Sequence, residues 1–289
     1  LNAIMHQKLS FNHNFHLAGI QNSYFGYGHH LDKANISLHG GIQYMNYGEF
    51  ESADIFGNRT GTFHASEYAL TFGASRQLYE RMTIGANLKF VGSQLESYRS
   101  FGLAGDVAAM FHDTSRQVTM TLLFRNIGTA LSTYTPNQSV RLPFEVQAGI
   151  SKRLKYLPFR FSVVYRYLNR WDIRYDDPDR QNLTIFLEES TTENVGQERL
   201  DNFFRHFVFS GEFLFGKADN FSLRFGYNHL RRQELSVTNF RSLAGFSAGV
   251  GFKVRRFKVD FGQNFYHLAG GMQHFSISTN LSEFGSGAL

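Results

Sequence analysis

The amino-acid sequence predicts an all-β protein, a transmembrane antiparallel β-barrel of about fourteen strands. Three observations carry that expectation. Phe159, Phe161, Val163, Tyr165 and Tyr167 alternate with Arg160, Ser162 and Arg166, and a period of two marks a strand whose faces meet different surroundings. The same unit of about ten residues recurs along the chain, the length of a tilted strand crossing a bilayer. The links between units are short after even-numbered strands, and long links fall only after odd-numbered ones, as in outer-membrane barrels. A soluble sandwich or propeller requires no such parity.

Composition is consistent with that class. The 289 residues include no cysteine, four prolines, 27 glycines and 16% aromatic residues, enough chain for one large domain without a disulfide framework. A mean hydropathy of -0.29 and the lack of any apolar run of about 18 residues exclude a transmembrane helix. They leave a barrel open, because lumen residues dilute the average. The net charge of +5 is spread singly over strands and turns rather than gathered in a basic stripe, which argues against nucleic acid. The sequence starts at Leu1 without an initiator Met or signal peptide, so a mature or trimmed chain is expected. Residues 1–284 are assigned to the barrel and 285–289 to a tail or cloning remnant.

Taken in order, Leu9, Phe11, Phe15 and Leu17 alternate with Lys8, Ser10, Asn12 and His16 as the first strand. A less regular second strand spans 21–30, and a third carries Ile36, Leu38, Ile42 and Tyr44. Gly, Asn and Asp from Gly48 to Ala65 predict a loop. Tyr68, Leu70, Phe72 and Ala74 mark the fourth strand, and Ile84, Ala86, Leu88 and Phe90 the fifth. Phe101, Leu103, Val107 and Phe111 form the sixth, turning at His112 to Ser115 into Val118, Met120, Leu122 and Phe124. A loop from Gly128 to Leu142 precedes Phe144, Val146, Ala148 and Ile150. The ninth strand starts at Phe159, and Phe207, Phe209, Phe213 and Phe215 form the tenth. Phe221 to Tyr227, Phe246 to Phe252, Phe257 to Phe265 and Phe275 to Leu281 complete the set, the final run ending in an aromatic at Phe284. Closure hides the sheet edges, which an open sheet in lipid cannot do.

The polar faces hold Lys89, Asp106, Arg125, Glu145, Arg160, Arg166, Glu212, Arg224 and Asp260. Unpaired charge in lipid is costly, so these residues are expected in the lumen, with Arg125, Glu145, Arg160, Arg166, Glu212 and Arg224 forming a polar network. That network reads as a salt-bridged interior or, more sharply, as an ion-selective pore. Gly245-Phe246-Ser247-Ala248-Gly249 matches G-x-S-x-G, but the nucleophile elbow needs a strand, a strained turn and a helix. Ser247 is therefore read as a mid-strand lumen serine. His29-His30 and the pair His267 and His274 lack metal-ligand spacing and are read as interfacial or loop residues, so no metal, cofactor or catalytic residue is assigned.

The stretch from Asp172 to Phe203 is different in kind, being strongly acidic on a basic chain. Its length exceeds what reversing a strand requires. Asp172, Arg174, Tyr175, Asp176, Asp177, Asp179, Ile185, Phe186, Glu188 and Glu189 are the candidate partner-binding residues, carboxylates forming a rim around an apolar centre. Calcium is the alternative ligand for Asp172 to Asp179, although the EF-hand pattern is absent.

Phe63-His64-Ala65-Ser66-Glu67-Tyr68, Leu88-Lys89-Phe90, Ser93-Gln94-Leu95-Glu96-Ser97-Tyr98, Leu142-Pro143-Phe144-Glu145 and Pro158-Phe159-Arg160-Phe161 resemble blocks of the PorV/PorQ group of the type IX secretion system of Bacteroidota. The resemblance covers nearly the whole chain, in block order. It implies a FadL-like barrel of fourteen strands in the bacterial outer membrane, long loops extracellular. It implies a non-enzymatic anchor for the surface attachment complex, with a PorZ-like surface protein and the PorU/PorV sortase pair as partners beside outer-membrane lipid and lipopolysaccharide. FadL-like relatives plug the lumen with a segment before the first strand, whereas only Leu1 to Gln7 precede it here. The alternative is a FadL-like channel for hydrophobic or small solutes. An outer-membrane hydrolase is third, lacking a clustered Ser-His-Asp set.

Overall fold

The computed structural model describes residues 3–135, 141–174, 195–235, 242–267 and 270–285. Among these, fourteen antiparallel strands close into one barrel in which every strand pairs with its sequence neighbours and the first pairs with the last. The strands are β1 (Lys8–Phe15), β2 (Gln21–Leu31), β3 (Ile36–Ala53), β4 (Arg59–Tyr79), β5 (Met82–Leu95), β6 (Tyr98–Asp113) and β7 (Val118–Ser132). They continue with β8 (Glu145–Arg153), β9 (Phe159–Tyr165), β10 (Phe207–Phe215), β11 (Phe221–Asn228), β12 (Phe246–Val254), β13 (Phe257–His267) and β14 (Gly270–Asn280). Pairing from Lys8↔Asn280 to Phe15↔Gln273 closes the sheet. Among the described residues three α-helices lie outside the wall: α1 (Val195–Arg205), α2 (His229–Leu235) and α3 (Ser282–Gly285).

The alternation read from the sequence becomes two faces. Phe25, Ile42, Leu70, Phe90, Phe161, Phe209, Leu223 and Phe261 are exposed on the outer face, while the charged residues of the same strands meet one another on the inner one. Among the described residues, the buried hydrophobics are only Ala65, Ala104, Leu214 and Ala244. Such an inverted distribution has a physical reason: the apolar surface is turned outward to a hydrocarbon solvent, and the backbone is satisfied entirely by the closed ladder.

Three expectations are corrected. The loop placed at Gly48 to Ala65 is instead a paired hairpin that continues to Ala53↔Arg59, with a bulge between Asn46 and Glu49 where Gly48 has φ +89°. The Gly and Asn content there serves the bulge and the tip turn, in which Asp54 Oδ1 accepts from the backbone N–H of Phe56 and Asn58 at 2.9 Å each. The cross-strand rings of Phe50 and Phe63, 5.4 Å apart, and the Arg59–Glu51 ion pair at 2.8 Å hold the hairpin paired. Likewise β7 runs on through Gly128 to Ser132. A Cβ at Gly128 would lie 2.7 Å from Ala104 Cα, so this glycine marks close backbone approach to β6 rather than a loop. The third correction is at the C-terminal end: β14 stops at Asn280, and Phe284 sits in α3, its ring 5.8 Å from that of Phe257.

Candidate functional site in the lumen and at the long-loop rim

The largest polar assembly in the lumen spans β9 to β13. Glu212 on β10 lies between Arg160 on β9 and Arg224 on β11, its Oε2 3.0 Å from Arg160 Nη1 and its Oε1 2.7 Å from Arg224 Nε. Arg224 then passes over β12 to Asp260 on β13, Nη1 to Oδ1 2.6 Å, and Lys258 Nζ lies 3.8 Å from the same carboxylate. The reach across β12 is possible because its inward positions here are Gly249 and Gly251. A Cβ at Gly251 would sit 2.5 Å from Ser222 Oγ and 3.2 Å from Arg224 Nη1.

Two further clusters continue the belt. Arg166 grips Glu145 through two bonds, Nε to Oε1 2.8 Å and Nη2 to Oε2 3.1 Å, and Glu145 is buried. Paired donors in a rigid fork make this the strongest kind of carboxylate contact. Arg125 stands opposite Glu145 in the β7–β8 register. Among the described residues Arg166, and not Arg125, forms the ion pair with Glu145. Beside them Lys89 Nζ reaches Asp106 at 2.6 Å and Asn126 Oδ1 at 2.7 Å. Asn126 sits in a bulge between β6 and β7 with φ +59°, and its backbone N–H donates to Asp106 at 3.0 Å.

The space left between these clusters is divided. A cavity of about 350 Å³ is lined by Met5, Tyr24, His39, Ala108 and Leu123, and Tyr24 Oη pairs with His39 Nε2 at 2.9 Å. Met5 enters it from the turn Ala3–Met5, and His6 Nδ1 accepts from the backbone N–H of His30 at 3.1 Å. Of the described residues before β1, Met5 thus reaches the lumen, whereas Ile4 is exposed and the His6 ring lies 4.7 Å from that of His29. Four small residues of β4 and β5, Ala74, Ser75, Gly85 and Ala86, line this cavity and also an outer groove bounded by Ile36, Ile84 and Val107. At the short-turn end a vestibule of about 590 Å³ is lined by polar residues including His112, Thr119, Ser151 and Arg160.

At the opposite rim, His206 is fully buried beneath α1. Its Nδ1 faces Arg166 O at 2.7 Å and its Nε2 faces Trp171 O at 2.9 Å, while its ring stacks on Tyr165 at 4.8 Å. Asn202, also buried, donates from Nδ2 to Trp171 O at 2.7 Å. Asp201 joins the two helices, accepting from Arg205 Nε at 2.6 Å and contacting His229 Nε2 at 2.9 Å. Burial would raise the Asp201 carboxyl, but the bonds from Arg205 and His229 outweigh it and hold it below the usual carboxylate range.

Of the candidate partner-binding residues, Asp172 and Arg174 are described. The Arg174 backbone N–H donates to Asp172 Oδ1 at 3.1 Å, and its Nη1 lies 3.3 Å from Glu198 on α1. Tyr175, Asp176, Asp177, Asp179, Ile185, Phe186, Glu188 and Glu189 lie outside the described residues. The end of that acidic stretch, expected as loop, is α1 from Val195 onward. Ser247, expected in mid-strand, is the second residue of β12, just after the turn at Gly245, with strand and no helix following it, and lines a second lumen cavity of about 280 Å³. His29 and His30, expected in a loop or at an interface, are on β2, where His30 Nδ1 pairs with Ser37 Oγ at 2.9 Å. His274 on β14 pairs with Asn264 at 2.7 Å and with Asn14. Among the described residues no three His, Cys, Asp or Glu side chains converge as metal ligands. Sequence reasoning missed Met5, Trp171, Asn202 and His206, because each acts through a contact distant along the chain.

The sequence matches no family profile and no curated relative. Solved structures do share the fold. The monoaromatic hydrocarbon channel CymD superposes with a TM-score of 0.52 at 12% identity over 96% of this chain and 88% of that one. The P. putida toluene transporter TodX gives 0.51 at 10% identity over 94% and 89%. The fold is therefore a closed, fourteen-stranded antiparallel barrel like those of the FadL-like channels.

Proposed function

We propose that this chain is a FadL-like outer-membrane channel that conducts small, weakly polar solutes and catalyses no reaction. One observation carries this reading: the lumen holds a cavity of about 350 Å³ walled by Met5, Ala108 and Leu123, with Tyr24, His39, Ser75, Asn87 and Asp106 as its polar groups. Its size lies within the range of small-ligand pockets, and its apolar wall interrupted by several polar groups suits a small, weakly polar ligand. The fold shared with CymD and TodX, channels for a monoaromatic hydrocarbon and toluene, supports the same class. In this reading the long loops are extracellular and the short turns periplasmic. The test is uptake of a labelled monoaromatic hydrocarbon by Gram-negative cells lacking their own channel of this type. Wild-type protein should raise uptake, Ala108→Trp should fill the cavity and abolish the gain, and Met5→Ala should preserve or increase it. Uptake equal to that of cells with an empty vector would overturn the proposal.

A second reading is favoured by a different observation, the fixing of α1 to the rim through buried His206 and Asn202. Such a rim is a stable platform for a surface partner. Here the barrel anchors a PorZ-like protein of the type IX attachment complex, with PorU/PorV as further members, and residues 172–203 supply the contact. Replacing 175–194 with a short Gly-Ser linker should leave the barrel folded and abolish co-purification of the partner from native membranes. Undiminished co-purification would remove this segment from the docking surface.

A further inference from the structure

We propose that α1 is a membrane-interface helix whose apolar face lies in the hydrocarbon border of the outer leaflet and completes the lipid-facing wall above β9 to β12. Leu200, Phe203 and Phe204 fall at i, i+3 and i+4, one face of a helix. All three are exposed, at 58%, 37% and 41%. The opposite side is engaged with protein, since Asn202 is buried and donates to Trp171 O, and Asp201 contacts His229 of α2. The occupant follows from continuity. The Phe203 ring is 5.0 Å and the Phe204 ring 6.4 Å from Phe207, which stacks at 5.8 Å on Phe209 of the outer wall. The apolar face of α1 is thus the upward extension of a surface that already meets lipid.

Strand length gives the reason such an extension is needed. β9 to β12 have 7, 9, 8 and 9 residues, against 18 and 21 in β3 and β4. At about 3.3 Å per residue and a tilt of about 40°, the rise from Phe215 to Phe207 is roughly 20 Å, short of the apolar band of about 25 Å. One helix diameter of apolar side chains at the top of β10 makes up the difference. Trp171 lies beside this face, its ring 6.4 Å from that of Phe203 and itself 55% exposed, and tryptophan is the residue type that settles at a membrane border.

Trp171 is the one tryptophan of the chain, so its emission reports this site without interference. The whole protein is refolded into phosphatidylcholine vesicles carrying bromines either shallow or deep on the acyl chains. Emission should be roughly halved by shallow bromines, less by deep ones, with poor quenching by aqueous iodide. In the double variant Leu200→Glu/Phe204→Glu, barrel folding is checked by heat-dependent mobility on gels, and the bromine effect should disappear while iodide quenching rises. Wild-type emission that ignores bromine and yields fully to iodide would overturn the inference, leaving the face to water or to a protein partner. Bromine quenching unchanged in a folded double variant would overturn it equally, since Trp171 would then meet lipid without help from α1.

Discussion

Replacing Gly251 with alanine should destabilise the barrel through an ion pair to which Gly251 contributes no side chain. The added Cβ would overlap Asp260 Oδ1, lie 2.5 Å from Ser222 Oγ and stand 3.2 Å from Arg224 Nη1. Ser222 is buried and its strand is paired on both sides, so neither it nor the β12 backbone can yield. The movable element is the Arg224–Asp260 contact, which must lengthen beyond its 2.6 Å. Removing one partner from a buried pair costs about 3–5 kcal/mol. Arg224 is 32% and Asp260 21% exposed, and Arg224 retains Glu212, so water and the second carboxylate recover part of that loss. The expected cost is about 2 kcal/mol. Reversible urea unfolding in lipid vesicles, with the folded fraction read from gel mobility, measures it. If the pair is the target, Gly251→Ala in an Asp260→Asn background should cost less than in wild type, because interacting sites are not additive. A Gly251→Ala variant within about 0.5 kcal/mol of wild type would refute the reasoning.

Other perturbations address the remaining elements. Arg166→Met leaves the buried Glu145 without its bidentate partner and should cost about 3 kcal/mol in the same unfolding assay, with Glu145→Gln in that background restoring part of the loss. Leu223→Arg places a cation on the outer face and should cost about 2–4 kcal/mol if Leu223 lies near the midplane; unchanged stability would mean a different register. Acid should loosen the rim before the barrel. The Asp201 carboxyl is depressed in the folded state, so its contribution is complete above the unfolded value of about 3.9 and is lost as pH falls through the lower folded value. Trp171 emission during acid titration should therefore show a transition below about pH 4 that Asp201→Asn removes.

The sequence by itself determined the class of fold, the number of strands and the face of each strand. A period of two is a local property that survives without knowledge of any partner: Phe209, Phe213 and Phe215 can only stand on one side of a strand while Glu212 stands on the other. The charges of the inner face were legible for the same reason, since Arg160, Glu212 and Arg224 are placed by that alternation and lipid excludes them from the other side. Their pairing was not. Which carboxylate Arg224 reaches depends on a missing side chain at Gly251 on the adjacent strand, and Glu145 is held by Arg166 rather than Arg125, since Arg166 presents its fork to both oxygens. Glycine was the residue least readable from sequence. The same residue type makes a bulge at Gly48, a close strand contact at Gly128 and a passage for a guanidinium at Gly251, and only the neighbouring chain distinguishes these uses. The rim was decided entirely by tertiary structure. Seven residues form β9, too few for the apolar band, and what stands above them is set by His206 and Asn202 holding the Trp171 carbonyl, contacts between residues about thirty positions apart that no local pattern encodes.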